Sequence, residues 1–166
     1  MQTKNSPPQH NVVDAVLGID ADSALYQVRR ERPEFVDGVE SCRASVLWPN
    51  NDQGIPAGLR VALAQRIALQ SGNPAQAAFY QSLAQGGQYH AIAHNTALDE
   101  QPAWLLAVVR HSDRVTLQPQ SSTQQHLEML SAAGLSEPQI VALAELIAFV
   151  NFESRVMAGL QLLEKM

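Results

Sequence analysis

Thiol chemistry in this chain is limited to one cysteine, Cys42, among 166 residues. A thiol redox cycle needs a reactive thiolate and a second thiol that resolves the oxidised sulfur. Cys42 recurs with Phe35, Val39 and Val46 at helical spacing, which predicts that it lies on an apolar stripe and is buried. Since a lone thiol forms no intrachain disulfide, nothing in the sequence indicates an oxidising compartment, and we expect a cytoplasmic protein.

Imidazoles offer a second kind of chemistry. His90 and His94 are four residues apart, so a helix would place both rings on one face, as in zinc sites. A zinc site needs further ligands, and only Asp99 and Glu100 are near in sequence. Solvent-facing histidines are the favoured interpretation, and the sequence predicts no metal or other cofactor.

His111 is a candidate general acid or base on a later helix, provided that it faces a pocket. It lies two residues from Asp113, and residues two apart on a helix do not face each other, so a His–Asp dyad within this helix is not expected. The alternative is a histidine favoured by the dipole near a helix C-terminus.

The elements that must position these residues are helices. Apolar residues recur at helical spacing, and no alternation with a period of two is strong enough to predict a strand. Capping and turn residues divide the chain into helices near 12–17, 23–30, 33–48, 57–71, 74–85, 102–116, 121–133 and 137–165. The predicted fold class is all-α, a multi-helix bundle, in one domain over residues 11–166, after a disordered N-terminal tail of residues 1–10.

The last predicted helix is unusual because it is apolar nearly all round from Ile140 to Phe152. Such a helix is either central in the core or buried in a subunit interface. Glu145, Asn151, Glu153 and Arg155 interrupt this surface, and buried polar groups need partners. These four residues could line a pocket, but an interface or an intramolecular network is the favoured interpretation.

Charge and hydropathy exclude two classes of partner. The net charge is −5 and the pI is about 5.4, whereas nucleic-acid binding needs a surplus of Lys and Arg on one face. The longest apolar run is too short to span a bilayer. We expect neither nucleic acid nor membrane as a partner.

Two segments carry a family resemblance. Residues 59–83, LRVALAQRIALQSGNPAQAAFYQSL, have the layout of a helix, a glycine and a second helix, and residues 134–163 look like a closing helix. With VVRHSDRVTLQP between them, they resemble the alkylhydroperoxidase D-like (AhpD-like) family, which includes the carboxymuconolactone decarboxylases (CMD). The resemblance implies an AhpD-like helical domain, peroxidase or decarboxylase chemistry, and assembly as homo-oligomers, either trimers or hexamers.

The catalytic positions of that family are all replaced here. In the family, the glycine precedes a Cys-x-x-Cys pair, a histidine follows one turn later, and a proton-relay glutamate comes before them. Aligned on Gly72, the two cysteines fall on Asn73 and Gln76, the histidine on Tyr80 and the glutamate on Val61. The resemblance therefore implies a catalytically degenerate member, serving as a structural or regulatory partner, for example of a thiol-bearing paralogue.

Two alternatives stay open at this point. One is an enzyme with non-thiol chemistry of the decarboxylase or lactone type, in which His111 and Tyr80 would be the catalytic residues. The other is a small-molecule binder without turnover. In the enzyme, Arg66 or Arg155 could bind an anion. Tyr80 could instead simply fill the vacated cavity. The expected pocket residues are Val61, Arg66, Asn73, Gln76, Tyr80 and Arg155.

Overall fold

The computed structural model describes residues 11–84 and 86–164; the predicted N-terminal tail lies outside these ranges. Within them the chain is all-helical, without strands, as the sequence pattern predicts. Two short 3₁₀ turns, Leu98–Glu100 and Pro119–Ser121, flank the seventh helix. The α-helices of the described part are α1 (Val12–Leu17), α2 (Ala24–Arg29), α3 (Pro33–Leu47), α4 (Ala57–Gln70), α5 (Pro74–Leu83), α6 (His90–His94), α7 (Ala103–Leu117), α8 (Gln124–Ala132) and α9 (Glu137–Glu164).

Several helices begin at the capping residues that the sequence predicts. The Asn11 side chain accepts a hydrogen bond from the backbone N–H of Asp14 at 3.1 Å and caps α1. Asn73 caps α5 in the same way, with Pro74 at the first helical position. Before it, Gly72 adopts a φ of 73°, a left-handed conformation that glycine takes without strain. These local signals separate α4 from α5.

The central helix of the bundle is α4, which contacts α3, α5, α6, α7 and α9. Each of its residues from Leu59 to Ala68 is buried, so α4 is enclosed on all sides and not only along one apolar face. Its charged side chains are satisfied internally. Arg60, for example, donates to the carbonyl oxygens of Ile55 at 2.7 Å and Val46 at 2.8 Å.

The buried face of α3 differs from the predicted one. Val36, Val39, Arg43 and Val46 point into the protein, while Cys42 is exposed. The prediction of a buried Cys42 is therefore wrong. The physical reason is that Arg43 forms a buried ion pair with α9, which turns the neighbouring Cys42 towards solvent.

The long helix α9 lies along one side of the bundle, against α3, α4 and α7. One face is buried through residues such as Leu143, Leu146 and Val150, whereas Val141 and Phe152 on the opposite face are exposed. Despite its length and apolar character, α9 is not a membrane span: among the described residues no helix is long and apolar enough to cross a bilayer.

Candidate functional site

A buried carboxylate, Glu153 on α9, is the centre of the densest polar cluster in the described structure. Its Oε1 accepts hydrogen bonds from Arg43 on α3, from Nε at 2.9 Å and also from Nη2. Its Oε2 accepts from Gln76 Nε2 at 2.8 Å and from the Tyr80 hydroxyl at 2.5 Å, both on α5. Side chains of three helices therefore meet on one carboxyl group, which we call the Glu153 network.

The network continues beyond this first set of contacts. The Ser154 hydroxyl donates to Gln76 Oε1 at 2.5 Å, and Asn73 Nδ2 lies 3.5 Å from the sulfur of Met157. On the other side, Arg43 Nη1 also pairs with Glu40, whose second oxygen accepts from the backbone N–H of Val12 at 2.8 Å. The network thus joins α1, α3, α5 and α9 into one hydrogen-bonded unit.

The electrostatics of this unit favour a charged pair beside a neutral phenol. Burial by itself would lower the pKa of Arg43, but the charges and hydrogen bonds of Glu153, together with Glu40, raise it overall. Burial raises the pKa of Tyr80, and the adjacent Glu153 carboxylate raises it further, so its hydroxyl stays protonated and donates. The Arg43 guanidinium also lies 5.8 Å from the ring centre of Phe79 and 6.0 Å from that of Phe149.

The network is closed to solvent. Gln76, Tyr80 and Glu153 each have 0% of their surface exposed, and Asn73 has 7%. A phenol, a carboxylate and a guanidinium are groups that acid–base catalysis uses, but a catalytic group must come within hydrogen-bonding reach of the reacting atom. Because these groups are buried, their hydrogen-bond partners are one another and not a substrate.

The remaining residues of the expected pocket lie elsewhere. Val61 is 2% exposed and belongs to the apolar core. Arg66 forms a two-pronged ion pair with Asp113, both N–O distances being 2.6 Å, and also donates to Asn95 at 2.9 Å. Arg155 is exposed on the outer face of α9. The fold therefore brings Asn73, Gln76 and Tyr80 together, but neither arginine joins them.

His111 is buried on α7, and its Nδ1 has no hydrogen-bond partner among the described residues. Burial lowers its pKa, and the nearby charges of Arg114 and His126 lower it further, which favours the neutral imidazole. No hydrogen bond in the described structure links it to Tyr80 or Glu153. His111 and Tyr80, the two candidate catalytic residues, thus do not share a hydrogen-bonded site.

The pair His90 and His94 borders a separate cavity of about 220 Å³ between α4, α5 and α6. The two rings stack with centroids 4.2 Å apart, and Nε2 of His94 lies 3.2 Å from the side-chain nitrogen of Gln65. Tyr89 and Gln81 contribute further polar groups to the lining. Within residues 11–84 and 86–164, no cluster of three or more His, Cys, Asp or Glu could hold a metal ion.

Sequence reasoning missed Arg43 and Ser154. The available signal was the position of Arg43 at helical spacing from Val36, Val39 and Val46, where a charge on an apolar stripe demands a buried partner. Glu153 was noticed as a polar interruption of α9, and it supplies that partner 110 residues away.

No known protein-family model matches this sequence, and no curated protein matches it.

Proposed function

We propose that this chain is a catalytically degenerate, structural member of the AhpD-like/CMD family, in which a closed hydrogen-bond network replaces the thiol site. One observation carries the proposal. Asn73, Gln76 and Tyr80 occupy the positions where the resemblance implies two cysteines and a histidine, and all three side chains are engaged in buried contacts.

The helix N-terminus of α5 supports the same conclusion. A peroxidatic cysteine at such a position gains its low pKa from the helix dipole and from free backbone N–H groups. Here the Asn73 side-chain oxygen accepts the Gln76 N–H at 3.1 Å, so an amide occupies the donor that would stabilise a thiolate. Amide side chains can neither attack a peroxide nor form a disulfide.

A one-cysteine mechanism using Cys42 is also disfavoured. Partial burial raises the pKa of its thiol, and the negative charges of Glu145 and Glu153 raise it further. Since the thiolate is the nucleophile, a raised pKa reduces the reactive fraction at neutral pH. Exposure alone does not make Cys42 a peroxidatic residue.

The test is a hydroperoxide-consumption assay on the purified chain, with dithiothreitol as the reductant. We expect the wild type and the Cys42→Ser variant to consume cumene hydroperoxide at the same rate as buffer with dithiothreitol. Sustained turnover by the wild type that disappears in Cys42→Ser would contradict the proposal.

As the resemblance implies, we also propose that copies of this chain assemble as a homo-oligomer, a trimer or a hexamer, in the cytoplasm, and that a thiol-bearing paralogue is a further partner. The exposed apolar face of α9, with Val141 and Phe152, supports assembly, because a face of this kind is typical of an interaction surface. Light scattering at micromolar concentrations measures the number of copies.

A second candidate function is small-molecule binding in the cavity beside His94. Its side-chain amides and imidazoles offer convergent donors and acceptors, and its 220 Å³ suits a ligand of a few heavy atoms. Benzoate, a small aromatic acid, is the probe. We expect it to raise the melting temperature of the wild type and of His126→Leu, but not of His94→Leu. An equal shift in all three proteins would exclude this cavity.

Non-thiol catalysis at Tyr80 is the weaker alternative. It would need an opening that exposes Tyr80 and Glu153, and it would need His111 to reach them. If benzoate raised the melting temperature of His94→Leu but not that of Tyr80→Phe, this alternative would gain support.

A further inference from the structure

The outward face of α9 exposes several large apolar side chains, among them Val141, Phe152 and Leu162. On a surface helix of a single chain, the solvent side carries polar residues. Among the exposed positions of α9, one row recurs at alternating steps of four and three residues and ends at Leu162, which is 67% exposed. We call this row the α9 stripe: Val141, Glu145, Ala148, Phe152, Arg155, Gly159 and finally Leu162.

The spacing of the α9 stripe is the spacing of contacts between two paired helices. Steps of three and four residues keep one seam on the same side of a helix and let its side chains pack into those of a neighbour. Glu145 and Arg155 are the only charged residues in the stripe, and neither takes part in an ion pair within the described chain.

The residue types of the stripe are arranged around Val150. Glu145 lies five residues before it and Arg155 five residues after it. In an antiparallel pair related by a two-fold axis at this point, positions equally far from Val150 face each other. Each Glu145 then faces Arg155 of the second copy.

Side-chain size follows the same symmetry. Phe152 would face the small Ala148 of the second copy, and Val141 would face Gly159. We propose that the α9 stripe is a two-fold interface through which two copies of this chain pair antiparallel. The proposal deepens, and rests on, the homo-oligomer proposed above.

Charge decides in favour of a second copy in this orientation. A parallel pairing in register would place Glu145 on Glu145 and Arg155 on Arg155, and facing like charges weaken association. The antiparallel arrangement instead forms two Glu–Arg pairs. A two-fold interface requires a surface that is complementary to itself, because every contact between two residues occurs twice, once on each side of the axis.

The surface area of the α9 stripe is smaller than the area that a specific interface buries, so the interface must extend beyond the stripe. The stripe is about 30 Å long and roughly 10 Å wide, close to 300 Å² per copy. A specific interface needs about 500 Å² per copy, so residues beside the stripe must also contribute. The groove between α3 and α9, about 610 Å³ and lined by Phe35, Val39, Cys42 and Phe149, continues the apolar surface. The second copy therefore also covers Cys42.

Charge reversal tests this pairing. The mass of the full chain is measured by sedimentation velocity over a range of micromolar concentrations. Of the two assemblies proposed above we expect the hexamer, or at low concentration the dimer from which it is built, and not the trimer, because a trimer has no two-fold contact. Glu145→Arg and Arg155→Glu each place like charges opposite one another at both ends, which should weaken pairing at least about tenfold. An equimolar mixture of these two variants should restore pairing, because the charges are again opposite.

The matched control is Glu128→Arg, which reverses an exposed charge on α8 and should leave the mass unchanged. Circular dichroism separates loss of pairing from loss of folding, and recovery in the mixture requires two folded proteins. Alkylation of Cys42 should be slower in the wild-type assembly than in Arg155→Glu.

Each contrary result overturns the pairing. A chain that is monomeric at every concentration, or a trimer, has no two-fold contact through α9. An assembly that is insensitive to both reversals uses another face, which leaves homo-oligomerisation intact and removes only this interface. Equal alkylation of Cys42 in assembly and monomer would mean that no second copy covers the groove between α3 and α9, which contradicts the proposed interface. None of these outcomes bears on the peroxidase test.

Discussion

Replacing Arg43 by methionine tests whether the Glu153 network is structural. The substitution keeps a side chain of similar length but removes the guanidinium that donates to Glu153 through Nε and Nη2. Glu153 is fully buried and Arg43 is 3% exposed, so the substitution would leave the Glu153 carboxyl group buried without its cation. Breaking a buried pair by removing one partner costs about 3–5 kcal/mol.

This loss is large compared with the whole stability of a domain, which is about 5–15 kcal/mol. Urea unfolding followed by circular dichroism measures it directly. For a chain of this length, a loss of 1 kcal/mol lowers the melting temperature by roughly 2–4 °C, so Arg43→Met should melt about 6–20 °C lower. The control is Arg32→Met, because Arg32 pairs with Glu34 at 3.2 Å on the surface and an exposed pair contributes at most about 1 kcal/mol.

A second substitution removes the remaining charge. Glu153→Gln in the Arg43→Met background should recover part of the lost stability, since a neutral amide costs less to bury than an unpaired carboxylate. The losses of unfolding free energy in the single variants Arg43→Met and Glu153→Gln, added together, should therefore exceed the loss in the double variant by more than about 1 kcal/mol. An Arg43→Met protein as stable as Arg32→Met, or more stable than the wild type, would refute the reasoning. It would indicate that the buried charges are retained for chemistry, as at active sites that sacrifice stability.

Three further predictions concern single side chains. Tyr80→Phe removes the 2.5 Å hydrogen bond to Glu153 and should cost about 1.5–3 kcal/mol in urea unfolding; an unchanged midpoint would contradict it. For His111, the pKa in the folded protein lies below its ordinary value of 6.5, so the unfolded chain takes up the proton first as the pH falls. The neutral His111 side chain therefore contributes its full share of the unfolding free energy above pH 6.5, and this contribution decreases as the pH falls below 6.5. Between pH 7.5 and 5.5, His111→Gln should lose less unfolding free energy than the wild type; equal losses in the two proteins would contradict this. In the dissociated Arg155→Glu variant, Cys42 should react with iodoacetamide without denaturant, but more slowly at neutral pH than free cysteine, because burial and the neighbouring carboxylates raise its pKa. Reaction only after unfolding would show that the thiol is buried.

Part of the candidate site was predictable from sequence because it lies on one helix. Asn73, Gln76 and Tyr80 follow one another at steps of three and four residues, so any α5 helix places them on one face. What they would contact was not predictable. Their partners on α3 and α9 are remote in sequence, and the separation of His111 from them depends on how α7 packs against α4.

What the sequence by itself determined is local. The all-helical class follows from the apolar spacing, and the ends of α1 and α5 follow from Asn11 and Asn73, whose side chains bond to backbone groups only three residues away. Only the tertiary structure decided which face of each helix is buried. The apolar spacing in α3 predicted that Cys42 is buried. The ion pair with Glu153 buries Arg43 instead, because a buried charge must lie where its partner is. Likewise α4, and not the more apolar α9, is central, since burial depends on how many neighbouring helices surround an element and not on its hydropathy alone.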